Sequence, residues 1–224
     1  SSEDKDALTV GVSADNPPYE FIKDGKIEGL DLDVIEAIGK VLGRKIVIKN
    51  LDFPGLFPAL SSGSVDCVIS GISVTESRKE HFDFSENYAG APMAVLFRKD
   101  DKFAKTENLE GKVIGAQLGT TWDIEAKKIS SKLTGVLVRS LSNNLVLVEE
   151  LKSGSVDAVV LEKMQVAEFI KNNPGLDFFD IPESSSNFAI VVNKGSKLLT
   201  EINKAIAKLN EEKKLQAIKD KWIK

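Results

Sequence analysis

The chain has 224 residues, of which 42% are hydrophobic and 29% are charged, and its formal net charge is −4. This length allows one or two domains, and the composition is ordinary for a soluble globular protein. The small negative charge gives no reason to expect nucleic-acid binding, and no apolar run approaches the roughly 20 residues of a membrane-spanning helix. One cysteine and one histidine build neither an intrachain disulfide nor a zinc site of the usual ligand types.

Strand-like and helix-like segments alternate along the first part of the chain, which predicts an α/β fold. The proline-rich segment 15–19 is a predicted loop, and 23–26 a hairpin-type turn. Apolar residues at helical spacing predict a helix that ends at Gly43. Ser73, followed three residues later by Glu, is the predicted N-cap of a helix carrying Arg78. The predicted strands are 8–13, 45–51 and 65–69, with a short helix at 57–60.

The same alternation restarts after residue 102. The long apolar runs 88–97 and 187–192 are predicted to cross between two lobes, so the first lobe holds both chain termini. We therefore predict lobe 1 at residues 1–90 plus 188–224 and lobe 2 at residues 91–187. The predicted strands of the second part are 112–116, 136–139, 157–161 and 176–181, and the predicted helices begin at 119–121, 145 and 166, with helical faces after residue 200.

The peptide Ser-Gly-Ser-Val-Asp occurs twice, at Ser62–Asp66 and Ser153–Asp157. The offset of 91 residues (153 − 62) is too long for a solenoid repeat and indicates two similar lobes. In both copies a helix-like run stops near the glycine and a β-branched strand follows. Because ligands bind beyond the carboxyl ends of strands in open α/β sheets, the polar residues after each strand are the candidate site.

Three residue groups supply the chemistry for gripping an α-amino acid. Thr120 and Thr121 open a predicted helix, whose free N–H groups attract anions. Arg78 can bind a carboxylate with two hydrogen bonds, and Glu162, at the end of the second repeat's strand, can receive an ammonium group. Each group also has an ordinary explanation: a helix cap for the threonines, a solvated surface charge for Arg78, and a helix-capping or surface acid for Glu162.

The chain resembles the solute-binding proteins of polar amino-acid ABC transporters (bacterial solute-binding protein family 3, arginine- and glutamine-binding-protein-like). The resemblance covers the chain from about residue 7 to its end, and the matching stretches are 10–21, 29–33, 52–60, 65–78, 82–85, 109–121, 156–162 and 221–222. It implies the type II periplasmic-binding fold: two Rossmann-like α/β lobes, a two-strand hinge near residues 88–94 and 184–190, and a ligand in the interlobe cleft.

The resemblance also implies roles for individual residues in gripping the ligand backbone. Arg78 is expected to clamp the α-carboxylate, helped by Ser73 and by the N–H of Thr121. Glu162 is expected to bind the α-ammonium group together with the Gly71 carbonyl and the Ser73 hydroxyl. The family usually has Asp at position 162, and Glu reaches one methylene further, so the pose of the ligand is expected to shift.

For the ligand side chain, the resemblance implies stacking against Phe53, with Ser70 lining the same loop and Gln117 facing the distal end. Thr120 belongs to the candidate binding set through its place in the anion-attracting turn. A purely structural core position for Phe53 is the alternative.

Two departures from the family pattern leave the ligand open. Ser13 stands where several relatives carry Asp, and Asn16 stands where relatives usually carry Phe or Tyr, so one aromatic wall is missing unless Tyr19 substitutes. Gln117, together with the turn that follows it, resembles the arginine-type branch. Arginine is therefore the first choice, although the lost Asp removes a favourable charge unless Glu20 replaces it; glutamine or another neutral polar amino acid is the alternative.

The sequence thus predicts a non-catalytic, monomeric receptor that delivers an L-amino acid to the permease subunits of an ABC transporter, without cofactor or metal. The alternatives are a dehydratase-type enzyme with Glu162 or Glu20 as general acid, and the ligand-binding module of a sensor. Because the sequence starts with a polar segment and no Met, we expect a removed leader and a periplasmic or lipid-anchored location.

Overall fold

A computed structural model describes residues 6–223. The polar start of the chain, on which the expectation of a leader or a lipid tether depends, falls on residues 1–5 and so lies outside the described residues. The chain divides into two compact units, Ser1–Ala89 with Asn187–Lys224 and Gly90–Ser186. It therefore passes from one unit to the other twice.

Strands and helices alternate as the sequence predicts. In chain order they are β1 Leu8–Val12, β2 Asp15–Asn16, β3 Glu20–Lys23, β4 Lys26–Glu28, α1 Leu30–Leu42, β5 Ile46–Asn50, α2 Leu56–Ser61, β6 Cys67–Val68, α3 Glu76–Lys79, β7 Phe82–Phe84, β8 Ala89–Ala91, β9 Met93–Arg98, β10 Val113–Gln117, α4 Thr121–Lys132, β11 Leu137–Leu141, α5 Asn144–Ser153, β12 Ala158–Glu162, α6 Lys163–Asn172, β13 Leu176–Asp180, β14 Ser186–Phe188, β15 Val191–Asn193, α7 Leu198–Glu211 and α8 Lys214–Trp222.

The first unit is built on a five-stranded sheet with the order β5-β1-β6-β15-β7. Strand β1 pairs in parallel with both its neighbours, β5 and β6, whereas β15 pairs antiparallel with β6 and β7. A separate three-stranded sheet, β2-β3-β4, follows β1 in the chain. The parallel arrangement puts the carboxyl ends of β1 and β6 at one edge of the sheet, where segments 13–16 and 70–73 begin.

The second unit repeats this plan, with the order β11-β10-β12-β9-β13. Here β10 is the strand with parallel neighbours on both sides, β11 and β12, and β9 pairs antiparallel with β12 and β13. The two crossing strands, β8 and β14, form a two-stranded sheet of their own. These sheets confirm the predicted α/β class with two lobes of similar construction.

The repeated peptide forms equivalent hydrogen bonds in both units. The Asp66 carboxylate accepts a hydrogen bond from the Thr9 N–H (2.8 Å), and the Asp157 carboxylate accepts one from the Val113 N–H (2.9 Å). The backbone N–H of each aspartate donates in turn to the carbonyl of the same partner residue, at 2.8 Å in both units. Each repeat therefore fixes its strand against the start of the neighbouring parallel strand, β1 or β10, which sets the parallel register.

Each unit has its own hydrophobic core. In the first unit the cluster joins α2 to the sheet through buried residues that include Leu56, Leu60 and Val191. In the second unit α5 and α6 pack on the sheet through residues that include Leu151 and Phe169. The helices cover apolar strand faces, and the polar candidates for the site lie where the strands end.

Some predicted boundaries are wrong. The strand predicted at 65–69 is only Cys67–Val68, because Val65 still belongs to the turn after α2. Each predicted crossing run is divided into two strands, β8 and β9 around Pro92, and β14 and β15. Proline has no N–H to continue a ladder, which explains the first break. Among the described helices, none is long and apolar enough to span a bilayer.

Gly29 starts α1 without a side-chain cap. The loop before β3 replaces the cap, because the N–H groups of Leu30 and Asp31 donate to the carbonyls of Pro18 and Tyr19 (3.0 and 2.9 Å). The φ angle of Gly29 is +138°, and a Cβ atom there would overlap the Tyr19 carbonyl oxygen. Only glycine allows this close approach, which places Asp31 at the start of the helix.

We expect the substitution Gly29→Ala to lower the free energy of unfolding by about 3 kcal/mol or more, because it combines a disfavoured φ with a backbone clash. Gly25→Ala is the matched control: it also has positive φ (+76°) but no atom near the added Cβ, so a loss of about 1 kcal/mol is expected. Urea denaturation measures both. Equal losses would show that the contact with Tyr19 does not matter.

Candidate functional site

In the first unit, the segments that follow β1 and β6 are linked by buried hydrogen bonds. The Ser13 N–H donates to the Ser70 hydroxyl (2.9 Å), and the Ser13 hydroxyl donates to Asp15 (3.0 Å). The Ser70 hydroxyl and the Asn16 side-chain amide both donate to Oε1 of Glu20, each at 2.9 Å. The structure therefore brings the predicted site residues Ser13, Asn16 and Ser70 together around one carboxyl group.

Gly71 continues this loop with a left-handed backbone, φ +57°. Its N–H donates to Oδ2 of Asp31 (2.9 Å), and a Cβ atom at this position would come 3.0 Å from the Asn16 amide nitrogen. Both carboxyl groups that hold the loop, Glu20 and Asp31, are completely buried. Backbone conformation and side-chain anchoring thus fix the path of segment 70–71.

Arg78 lies in the four-residue helix α3, and its side chain is held from two sides. Nη1 donates to the Ser73 carbonyl (2.7 Å), and the guanidinium carbon lies 5.1 Å from the centre of the Phe57 ring. Burial lowers the pKa of Arg78 to about 10, so the group remains a cation at neutral pH. A positioned, partly dehydrated guanidinium is suited to bind a carboxylate.

Ser73 is not the N-cap of this helix, contrary to the prediction. Thr75 takes that position, and its hydroxyl accepts from the Arg78 N–H (3.1 Å). Ser73 instead forms an isolated antiparallel bridge with Phe188. Its extended backbone leaves its carbonyl available to Arg78, so tertiary pairing overrides the local capping signal.

The aromatic candidates lie deep in the first unit. Phe53 has 2% of its surface exposed, belongs to the core cluster of this unit and contacts the Phe57 ring edge-on at 6.4 Å. Tyr19 is fully buried, and its ring packs edge-on against Phe188 at 5.1 Å. Tyr19 is thus a core residue of this unit in the structure, and Phe53 contributes to the core as well.

In the second unit, Gln117 ends β10 and is buried. Its Nε2 donates to the Ser142 carbonyl (3.0 Å), and its Oε1 accepts from Asn144 (3.2 Å). Thr120 caps α4, accepting from the Asp123 N–H (3.2 Å) and donating to the Gln117 carbonyl (2.7 Å). Thr121, the first residue of this helix, is half-buried, so Gln117, Thr120 and Thr121 form one polar group at the end of β10.

Glu162 ends β12, the strand of the second repeat, and is fully buried. It caps α6: its Oε1 accepts from the Met164 N–H (2.9 Å), and Gln165 accepts from the Glu162 N–H (2.8 Å). This reciprocal capping box fixes the carboxyl group at the carboxyl end of the strand. Within residues 6–223, no group of three or more Asp, Glu, His or Cys side chains is arranged to hold a metal ion.

The comparison with known proteins decides the family. Residues 8–224 match the bacterial extracellular solute-binding proteins, family 3. The chain belongs to this family. The arginine-binding extracellular protein ArtP of Bacillus subtilis (strain 168) is 32% identical over 226 residues, covering 100% of this chain and 88% of that protein.

Solved structures agree with this solute-binding assignment. An ancestral arginine-binding protein bound to arginine superposes with a TM-score of 0.93 at 38% identity, covering 98% of this chain and 99% of the other. An ancestral arginine-binding protein bound to glutamine gives a TM-score of 0.92 at 38% identity, with coverages of 97% and 98%. The predicted membership of a family of amino-acid receptors is thus confirmed.

Sequence reasoning missed several residues that position the site of this solute-binding protein. Asp31 anchors the Gly71 loop, Phe57 lies against Arg78, Thr75 caps α3, and Asn144 orients Gln117. Asp31 carried no signal for this role, because it is one of two acids in the first turn of α1, where the helix dipole favours an acid in any case. The other three depend on tertiary neighbours that the sequence does not display.

We expect Thr75→Ala to lower the free energy of unfolding by about 1 kcal/mol, because it removes the acceptor for the Arg78 N–H. Thr75→Ser keeps the hydroxyl and serves as the matched control. Urea denaturation at neutral pH compares the three proteins. Equal stability of the Ala and Ser variants would show that the cap contributes nothing.

Proposed function

We propose that this chain is a non-catalytic receptor for one polar L-amino acid, which it delivers to the permease of an ABC transporter. Arg78 with Ser73 and Thr121 binds the α-carboxylate, and Glu162 with the Gly71 carbonyl binds the α-ammonium group. Membership of an extracellular solute-binding family supports this proposal. Relatives and solved structures named for amino-acid binding support the ligand class.

The observation that carries the proposal is the environment of Arg78. Removing a guanidinium group from water costs free energy, yet burial here only lowers its pKa to about 10. The Ser73 carbonyl and the Phe57 ring hold the group in one orientation. Arg78 is therefore a cation that is held in place despite its partial dehydration, beyond the sheet of the first unit. Such a cation is suited to receive an anionic ligand group.

Arginine is the first ligand choice. Relatives and structures named for arginine binding support it, and Phe53 and Gln117 would contact the side chain. Glutamine is the second candidate, supported by the solved structure with glutamine bound. Asn16 and Ser13 are neutral, and the buried Glu20 is engaged by Asn16 and Ser70, so Glu20 is not a replacement for the missing Asp.

The wider assignment follows from the family. We propose an extracytoplasmic location, periplasmic or lipid-anchored, and a monomeric state. The lobes, residues 1–90 plus 188–224 and residues 91–187, are proposed to close on the ligand through the crossing strands β8 and β14, with Ser70, Asn16 and Thr120 completing the ligand shell. Polar candidates at the strand ends of each unit support this arrangement. A sensor module is the remaining binding function, and a dehydratase the remaining catalytic one.

Calorimetric titration of the protein, freed of carried-over ligand, with each of the twenty L-amino acids tests the proposal. Arginine is expected to bind with a Kd below about 1 µM, more tightly than lysine or histidine. Tightest binding of glutamine would keep the receptor function and replace the ligand. Chromatography of the recovered ligand is the catalytic control, since a receptor returns it unchanged. If no amino acid bound, the proposed function would be wrong.

Replacing the proposed clamp, Arg78→Ala, is expected to weaken binding by about 100-fold or more, because a charged hydrogen-bonding partner of the carboxylate is lost. Lys79→Ala is the matched control, since Lys79 is the exposed next residue and its side chain forms an ion pair with exposed Glu76. Its affinity is expected to stay within about twofold of the parent. Circular dichroism checks that both variants fold. Parental affinity in folded Arg78→Ala would remove Arg78 from the site.

A further inference from the structure

Two buried carboxyl groups hold the binding segments of the first unit. Glu20, on β3, accepts from Asn16 and Ser70, and Asp31, on α1, accepts from the Gly71 N–H, all at 2.9 Å. Three of the residues proposed to line the ligand site therefore depend on acids that are themselves completely shielded from solvent. None of the ion pairs among the described residues involves either acid. Two ionised carboxylates that are buried near each other without a cation would repel each other.

The oxygens of the two acids divide into two kinds. Oε1 of Glu20 and Oδ2 of Asp31 receive the hydrogen bonds of the loop. The other oxygens, Oε2 of Glu20 and Oδ1 of Asp31, are buried and receive no hydrogen bond from a described donor. A buried acceptor without a donor is costly. A proton on one carboxyl group supplies the donor for the other.

The electrostatics of the pair agree with this geometry. Burial raises the pKa of Glu20 well above its ordinary value of 4.5, and the charge and the neighbouring carboxyl group of Asp31 raise it further. Burial also raises the pKa of Asp31, whereas the neighbouring Glu20 and Tyr88 side chains and the hydrogen bond from the Gly71 N–H oppose that rise. Both shifts favour the protonated form, so the pair is suited to hold one proton between its two carboxyl groups.

We propose that Glu20 and Asp31 share one proton and act as positioning residues, fixing Asn16, Ser70 and Gly71 in the conformation that binds the ligand. The inference rests on the proposed function for its effect on affinity, but the shared proton is a property of the first unit alone. Neither acid contacts the ligand. Loss of the proton leaves two like charges together and loosens the loop hydrogen bonds.

The sign of the pH dependence follows from the raised pKa of Glu20. A carboxyl group with a higher pKa in the folded state favours folding most at low pH, and this contribution declines as pH rises from 4.5 towards the folded value. Tyr88 and Tyr19 are the other titratable groups beside the pair. Burial, followed by the charges of Asp31 and Glu20, raises the pKa of Tyr88 well above 10.0, so it stays neutral throughout this window.

Glu20→Gln is the decisive variant, because its amide oxygen accepts from Asn16 and Ser70 while its NH₂ group donates to Asp31 without a titrating proton. Asp31→Asn replaces the second acid by its amide in the same way. It provides the test if Glu20→Gln does not fold. Glu36→Gln, on the exposed face of α1, is the matched charge control. Urea unfolding and arginine and glutamine affinity are measured from about pH 5 to about pH 10.

The unmodified protein and Glu36→Gln are expected to lose affinity as pH rises. Their loss is expected to be about tenfold larger than that of Glu20→Gln and Asp31→Asn over the same pH range. Deprotonation of the ligand affects all four proteins equally and cancels in this comparison. The unfolding free energy of the unmodified protein is expected to decline relative to Glu20→Gln above pH 4.5. Parallel profiles for all four proteins would overturn the shared proton.

The experiment separates this inference from the proposed function. If the unmodified protein binds no amino acid, the proposed function fails, while the unfolding profiles and hydrogen exchange at the Gly71 amide still decide whether the pair titrates and holds the loop. Faster exchange at Gly71 with rising pH, absent in Glu20→Gln after correction for intrinsic exchange, supports positioning. If the stability of the unmodified protein and Glu20→Gln diverged with pH while their affinities and their Gly71 exchange rates stayed parallel, the positioning role would be wrong. The pair would then have a structural role only.

Discussion

Parallel pairing on both sides of one strand is the constraint on which each unit depends. Strands β1 and β10 each lie between two parallel neighbours, so the carboxyl ends of three strands meet at one edge of each sheet. Helices cover apolar strand residues, and the polar candidates for ligand binding lie beyond that edge. The aspartates of the repeated peptide, Asp66 and Asp157, hold this register in place.

Near this edge the first unit buries charged groups, although their burial does not by itself stabilise the fold. Glu20 and Asp31 are completely buried, and Arg78 is partly buried. Dehydrating such groups costs free energy, which hydrogen bonds recover only when the partners are fixed. Their partners are Asn16, Ser70 and the Gly71 backbone for the acids, and the Ser73 carbonyl for Arg78. The same hydrogen bonds therefore stabilise the buried charged groups and fix the loop segments that contact them.

This arrangement has a consequence for ligand choice. Because the Glu20 carboxyl is engaged within the first unit, it offers no counter-charge for a basic side chain. The proposed pair Arg78 and Glu162 would bind the backbone that all amino acids share, so we propose that Asn16, Gln117 and Phe53 discriminate among side chains. Both amide residues are oriented by hydrogen bonds within their own units, so each of these side chains is positioned by its own unit.

The sequence by itself determined the α/β class and the two similar units, because periodicity, glycine stops and the repeat are local signals. The family followed from the resemblance of its motifs to known proteins, and the roles of Arg78 and Glu162 stay proposals. Only the tertiary structure decided what holds these residues. It replaced Ser73 by Thr75 as the cap of α3, buried Tyr19, and joined Glu20 to Asp31. Such pairings depend on residues distant in sequence, and local propensity carries no information about which distant group meets a buried acid.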